Sequence, residues 1–163
     1  MLQNILSKWE TLRDSDALVE CLKDVPFVKR KQDETGGEVV FVKADQLYDP
    51  RNNFLSLMFD KDPSCFPIEE FASEESLNML SSVGLKNTVD KDIFLKCAWM
   101  VEAEQSLTKS MKLFEYYSEH FGEFYDNNQE FCEQLSEVQC VPAELDGDSL
   151  ALYRFHDIGE IAL

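Results

Sequence analysis

The sequence predicts an α+β protein that is mainly α-helical, with one or two short antiparallel β-hairpins and a long central helix. Apolar residues recur at helical spacing over most of the chain, and the pattern is longest from Asp90 to Tyr117. Two apolar runs, near residues 28 and 41, flank a polar connection that contains Gly36-Gly37, which is typical of a hairpin. With 163 residues the chain can bury a core without a metal or a disulfide.

Two short helices and the hairpin are predicted to open the chain. Apolar residues recur at helical spacing from Leu2 to Leu12, and Ser15 or Asp16 can cap a second helix that runs towards Val25. Pro26 ends this pattern. The apolar residues around it and those at 39–42 therefore form the two arms of the predicted hairpin.

The middle of the chain contains two further helix starts. Asp49 is predicted to be an N-cap, with Pro50 at the first helical position and an apolar face between residues 54 and 59. Ser73 is predicted to cap the next helix, and Gly84 to end it in the left-handed position.

The helix from Asp90 to Tyr117 is predicted to be the core of the fold, because its apolar face is the widest in the chain. Val101, Leu107 and Phe114 are expected to be buried there. A break follows at Gly122 and 126–128, and one more helix is predicted from four apolar positions: Phe131, Cys132, Leu135 and Val138.

The end of the chain repeats its beginning. Residues 17–28 align with residues 130–141, and 40–43 have a counterpart in 150–154. We therefore predict one module with a hairpin unit near 17–48, a helical part over 50–138 and the start of a second hairpin unit over 130–163. The apolar face of the strand at 150–155 is then expected to be covered only by residues beyond Leu163, so this strand should exchange amide hydrogens faster than the hairpin near Phe41.

Charge and cysteine usage restrict the partners and the compartment. The net charge of −17 disfavours nucleic acids and anionic membranes, and favours basic proteins. The amino terminus has no basic segment followed by an apolar run, and no apolar run is long enough to span a bilayer. Five cysteines without a CxxC pair are typical of a reducing compartment, so we expect a cytoplasmic protein.

No catalytic, cofactor or metal site is predicted. His120 and His156 do not belong to a nucleophile motif, Gly36-Gly37 precedes no GK[ST] sequence, and Asp146-Gly147-Asp148 is better interpreted as a turn than as a calcium loop. The thiols and histidines lack the paired spacing of a zinc site. Paired carboxylates that meet only in the fold stay open as an alternative, because the chain has 32 acidic residues.

An ordered set of short motifs resembles the repeat region of the sacsin family. The set comprises Val25-Pro26-Phe27-Val28, Ala44-Asp45-Gln46-Leu47-Tyr48-Asp49-Pro50-Arg51-Asn52, Leu55, Met58-Phe59, Phe66-Pro67, Phe71, Leu77, Leu80 and Val83-Gly84-Leu85-Lys86. It covers about the first half of the chain well and the last thirty or so residues more loosely. In that family a similar order recurs in the parts of each large repeat that follow a GHKL-type ATP-binding fold.

The resemblance implies a non-catalytic structural and interaction module of a very large cytosolic protein with chaperone-like activity. The chain lacks the ATP-binding portion of the repeat, so the resemblance implies ATP hydrolysis for none of its residues. It also lacks the His-Pro-Asp tripeptide of a J domain, so stimulation of a partner chaperone's ATPase is not implied either. Partners implied are neighbouring modules of the same protein, and client or chaperone proteins. The alternatives are a free-standing hydrolase that uses carboxylates and an independent acidic protein-binding domain.

Overall fold

The computed structural model describes residues 8–30, 40–124, 129–144 and 149–161, and the chain divides into two compact units, Met1–Thr88 and Val89–Leu163. The predicted class is confirmed, because the described residues form mainly helices together with two two-stranded antiparallel sheets. Predictions for residues 2–7, the Gly36-Gly37 connection, 126–128 and 146–148 lie outside the described residues.

The first unit opens with two short helices and a hairpin. Helix α1 is Trp9–Leu12 and helix α2 is Asp16–Lys23, with Ser15 in the N-cap position. Strand β1 (Val28–Lys29) pairs antiparallel with β2 (Phe41–Val42), in a register that places Val28 opposite Val42. The predicted hairpin is therefore confirmed for the arms that the structure describes.

Two more helices and three 3-10 turns complete the first unit. Helix α3 is Asn53–Met58, helix α4 is Glu74–Ser82, and the turns are Ala44–Gln46, Pro63–Cys65 and Glu69–Phe71. The predicted limits of α4 are confirmed: the Ser73 side chain accepts the N–H of Ser76, and Gly84 has a φ of +114° just after the helix. One core cluster of this unit joins side chains of the opening helices, the hairpin, two of the turns and α4, and it contains Trp9, Val28, Ala44, Leu47, Phe71, Leu77, Met79, Leu80, Val83 and Leu85.

Asp49 does not cap α3, contrary to the prediction. Helix α3 begins three residues later than predicted, and the side chain of Asn52 accepts the N–H of Leu55 at 3.1 Å. The amide of Asn52 also donates to the backbone oxygen of Asn87 at 2.8 Å. Asp49 fits the pattern of an N-cap because it precedes a proline. In the fold, however, its carboxylate accepts bonds from the Arg51 side chain.

We expect Asn52→Ala to lower the free energy of unfolding by about 0.5–2 kcal/mol, the usual cost of losing an N-cap. Neighbouring Asn53 is exposed, so Asn53→Ala is the matched control and should change stability by less than about 0.5 kcal/mol. Urea titrations of the two variants, followed by circular dichroism, make the comparison. Equal stability of the two variants would contradict the assignment of Asn52 as the cap.

The second unit contains five helices and a hairpin among its described residues. The helices are α5 (Lys91–Glu104), α6 (Leu107–Glu119), α7 (Phe121–Phe124), α8 (Gln129–Ser136) and α9 (Phe155–Ile161). Strand β3 (Val141–Ala143) pairs antiparallel with β4 (Ala151–Tyr153). Rings from four of these helices meet in an aromatic cluster that contains Phe94, Tyr117, Phe124 and Phe131.

The long helical pattern after Asp90 is divided into α5 and α6. Gln105 adopts a left-handed conformation with a φ of 49°, and its side chain donates to the backbone oxygen of Glu102. Ser106 then caps α6, because its hydroxyl oxygen accepts the N–H of Lys109. The sequence pattern does not indicate this break, because apolar residues on both sides of it keep helical spacing.

The break changes which residues of α6 are buried. Val101 is buried as predicted, but Leu107 and Phe114 are only half-buried, so that part of the prediction is wrong. Leu113 occupies the core instead. The turn at Gln105 changes the direction of α6 relative to α5. The apolar face predicted for one continuous helix therefore does not indicate which side of α6 is buried.

The strand near the carboxyl end is partly covered, although Leu150 and Phe155 at its predicted ends are 42% and 40% exposed. β4 is one arm of a hairpin, Leu152 is buried, and the backbone oxygen of Leu152 accepts a bond from Gln139 Nε2 at 2.8 Å. Pairing of β4 with β3 removes one reason to expect fast amide exchange in this strand. Its exchange rate relative to the hairpin near Phe41 stays a prediction.

Candidate functional site

The motif Leu47-Tyr48-Asp49-Pro50-Arg51-Asn52, which we call the clamp loop, is held by backbone bonds on two sides. Asp49 donates its N–H to the oxygen of Lys86 at 2.8 Å, and Lys86 donates to the oxygen of Leu47 at 3.0 Å. Tyr48 donates to the oxygen of Cys65 at 2.9 Å. The loop therefore joins two segments that lie far from it in sequence.

A partly buried ion pair, in which Asp49 is buried and Arg51 is 41% exposed, fixes the clamp loop to helix α4. The carboxylate of Asp49 accepts bonds from Arg51 Nε at 3.0 Å and Nη2 at 2.7 Å, in the bidentate geometry that arginine favours. Arg51 Nη1 donates to Asn78 Oδ1 at 2.8 Å, on α4. This bonding to Asp49 raises the pKa of Arg51 further above its usual range. Arg51 therefore links the clamp loop to α4, because its guanidinium donates to Asp49 on one side and to Asn78 on the other.

The aromatic and glycine residues of the motif set pack around the same loop. The ring of Tyr48 lies 4.8 Å from that of Phe59 and 6.4 Å from that of Phe66, measured between centroids. Gly84 allows a close approach of the chain: a Cβ atom at this position would lie 3.3 Å from the Cβ of Asp45. The residues that carry the sacsin resemblance thus have a packing role in the first unit.

Phe66-Pro67-Ile68 extends the first hairpin by a short third segment. Ile68 donates its N–H to the oxygen of Lys29 at 3.1 Å, and Arg30 and Pro67 form an isolated antiparallel bridge. A proline without an N–H is tolerated at such an edge.

The two histidines of the second unit take part in local contacts. The ring of His120 stacks on Tyr116 with 4.0 Å between centroids, and its Nδ1 lies 3.0 Å from the Tyr116 backbone oxygen. His156 Nε2 lies 3.3 Å from Asp157 Oδ1, and both side chains are about half exposed. Both rings therefore contact residues of their own chain segment, four residues and one residue away.

The five cysteines are free thiols in very different surroundings. Cys97 and Cys140 are buried, Cys65 donates to Asp62 Oδ2 at 3.2 Å, and Cys21 and Cys132 are exposed. Cys132 belongs to an apolar pattern in the sequence, yet it lies on the outer face of α8. Burial, with a smaller contribution from Glu102, raises the pKa of Cys140 to about 12.

We expect Cys140 to resist alkylation, because the thiolate is the nucleophile. With a pKa of about 12, only about 0.01% of this thiol is ionised at pH 8. With iodoacetamide at about pH 8, exposed Cys21 and Cys132 should be modified first. Peptide mass spectrometry over a time course measures the order. Cys140 labelled as fast as Cys132 in the folded chain would contradict this environment.

Polar groups that sequence reasoning missed connect the helices and hairpin of the second unit. Lys109 and Glu104 form an ion pair of 2.8 Å whose side chains are 5% and 10% exposed. Ser110 donates to the backbone oxygen of Cys140 at 2.6 Å, and Gln139 donates its N–H to Glu102 Oε1 at 3.2 Å. Only tertiary structure brings the last two pairs together, because 30 and 37 residues separate the partners.

One cavity of about 110 Å³ lies between the start of α5 and helix α8. It is lined by Lys91, Asp92, Leu95, Glu130, Phe131 and Gln134. Within the described ranges, no group of three or more metal-binding side chains occurs. In the same part of the chain, no helix has the length and apolar character needed to cross a bilayer.

Comparison of the chain with models of protein families, with curated proteins and with solved structures gave no match. The fold and its internal contacts are therefore the basis for a functional proposal.

Proposed function

We propose that the chain is a non-catalytic structural and interaction module of a large cytoplasmic protein of the sacsin type, where it supports neighbouring repeat modules. The observation that carries this proposal is a helix and hairpin unit that occurs twice. Repeated units of this kind commonly stack against their neighbours in arrays.

The two copies agree element by element. Helices α2 and α8 both have eight residues, and four residues separate each helix from the strand that follows, at 24–27 and 137–140. After each hairpin, a single residue precedes the next helical turn.

The same type of hydrogen bond follows each of the two hairpins. Lys43 donates its backbone N–H to Gln46 Oε1 at 3.2 Å, and Arg154 donates its N–H to Asp157 Oδ2 at 3.1 Å. Both acceptors lie three residues after the donor, as in a capping box. Two unrelated hairpins need not share this detail, so it favours a true repeat.

The chemistry of the described side chains agrees with a role without catalysis. The buried carboxylate of Asp49 is bonded to Arg51, and that of Glu104 to Lys109. Both carboxylates are therefore engaged in ion pairs within the fold. The aromatic residues of both units supply packing.

We expect no binding of ATP by this chain. Calorimetric titration with ATP and Mg²⁺ should give only heats of dilution, because the chain lacks a glycine-rich phosphate loop before a helix. A saturable signal that requires Mg²⁺ at micromolar ATP would overturn the non-catalytic proposal.

Crosslinking of the intact gene product tests the module itself. With a lysine-reactive crosslinker, we expect links from exposed lysines of this chain, such as Lys96, to residues of the same polypeptide that flank positions 1–163. Exposed Lys112 provides a second reporter on another helix. A gene product without flanking modules, or one with links only inside this chain, would contradict a role in an array.

A further inference from the structure

The first hairpin buries one face and leaves the other open to solvent. Successive side chains of a strand point to opposite faces of the sheet. Val28 and its partner Val42 pack against the core of the first unit, and Val28 is 0% exposed. On the other face the ring of Phe41 is 51% exposed, with Lys29 Nζ 5.9 Å from its centroid. An apolar ring therefore lies on a face that nothing in the described part of the first unit buries.

The second hairpin is buried on the opposite face. The strand register makes Leu152 the counterpart of Phe41, and Leu152 is only 5% exposed. Val141 is the counterpart of the fully buried Val28, yet it is only half-buried. The two copies of the unit thus bury opposite faces of equivalent hairpins.

The helix before each hairpin differs in the same way. Helix α8 buries Phe131 and Leu135, whereas α2, which the structure describes in full, has no buried residue. Val25 lies just after α2 and is 45% exposed, while its counterpart Val138 after α8 is 3% exposed. We call the exposed surface of the first unit that contains Val25 and Phe41 the open face.

In the second unit, the matching surface lies against the helix pair α5 and α6. Helix α5 packs against α8, and α6 packs against both β3 and β4. Each helix of the pair also makes a hydrogen bond at the start of the hairpin. Gln139 donates its N–H to Glu102 Oε1 on α5, and Ser110 on α6 donates to the backbone oxygen of Cys140. The second copy therefore shows which kind of element buries this side of the unit.

The same observation decides between possible occupants of the open face. A second copy of the chain cannot supply its α5 and α6, because they already pack against its own second unit. An anionic membrane is disfavoured by the net charge of −17. A neighbouring module of an array can supply a further helix pair, since each repeat of an array packs against its neighbours.

We propose that the open face of the first unit binds a helix pair from a neighbouring module of the same large protein. This inference rests on the proposed role in an array and names the contact. Two successive helices joined by a short turn, of the same type as α5 and α6, pack with their apolar side against Val25 and Phe41. In the array, both faces of the first hairpin are then buried.

Hydroxyl-radical footprinting of the 163-residue chain and of the intact gene product tests whether the open face is buried. If Phe41 becomes as buried as Leu152, its exposure falls from 51% to 5%, a ratio of about ten, so its modification rate should fall about tenfold. Val25 should lose a similar share, from 45% to the 3% of Val138. Leu152 is the matched control, because it is buried within the chain itself and should react equally in both samples.

Photocrosslinking then identifies the occupant. Benzoylphenylalanine in place of Phe41 in the intact gene product should form links to residues that flank positions 1–163, in two segments of helical periodicity joined by a short turn. Circular dichroism of the 163-residue chain with the same replacement verifies folding, which the exposure of Phe41 should preserve. Mass spectrometry locates the linked residues.

Three outcomes would overturn the proposal: unchanged modification of Phe41 and Val25 in the intact product, links from position 41 to a second copy, or links to a segment without helical periodicity. If Lys96 and Lys112 form links to flanking modules while position 41 forms none, only this inference fails and the role in an array stands. A gene product without flanking modules removes both.

Discussion

Phe94→Ala should lower the free energy of unfolding of the second unit by about 3–5 kcal/mol, the usual cost of truncating a buried phenylalanine. The ring is fully buried and lies 4.9 Å from that of Phe124, 5.6 Å from Tyr117 and 5.9 Å from Phe131. Removing it leaves a cavity in the centre of the aromatic cluster. Urea titrations followed by near-ultraviolet circular dichroism measure the loss.

Phe114→Ala is the informative comparison, because the sequence predicts a strong effect for it and the structure does not. Phe114 is half-buried, so we expect a loss of about 1–2 kcal/mol. If Phe114→Ala proved as destabilising as Phe94→Ala, the orientation of α6 after the break at Gln105 would be wrong, and Phe114 would belong to the core.

Arg51→Met should destabilise the first unit by about 3 kcal/mol, because it leaves the buried Asp49 carboxylate without its bidentate partner. Methionine keeps the length and much of the apolar stem, so the change isolates the charge and its hydrogen bonds. The side chain of Arg51 is itself 41% exposed, which places the expectation at the low end of the range for buried pairs. Urea titration in a Trp99→Phe background, which leaves Trp9 of the first unit as the fluorescent tryptophan, measures the effect.

Two further variants control the Arg51 experiment. Arg51→Lys keeps the charge but loses the fork that reaches both Asp49 oxygens, and its loss should fall between those of the wild type and Arg51→Met. Arg154→Met removes an exposed arginine and should change stability by less than about 0.5 kcal/mol. Similar losses for Arg51→Met and Arg154→Met would show that the ion pair contributes nothing.

Local signals in the sequence predicted those parts of the fold that depend on nearby residues. Ser73 and Gly84 define the limits of α4 because capping and a positive φ are properties of a few consecutive residues. The hairpin arms near residues 28 and 41 follow from Pro26 and from apolar runs that flank a turn. The alignment of 17–28 with 130–141 predicted a helix in both segments, and each contains an eight-residue helix, α2 and α8.

Predictions failed where a local pattern fits two conformations. Asp49 before Pro50 satisfies the pattern of a helix cap, but its carboxylate accepts bonds from Arg51 and the cap is Asn52. Helical spacing continues through Gln105, although the chain turns there. Periodicity indicates which residues share a face of a helix, and it does not say where one helix ends and an equally periodic one begins.

The sequence by itself determined the mainly helical class, the first hairpin, two helix limits and the acidic charge, because each depends on composition or on residues a few positions apart. Only the tertiary structure decided that Arg51 joins Asp49 to Asn78, that Gln139 meets Glu102, and that Met111 and Phe121 face solvent. These features depend on contacts between distant segments. Such contacts form only when the burial of one apolar surface fixes which side of the next helix is covered.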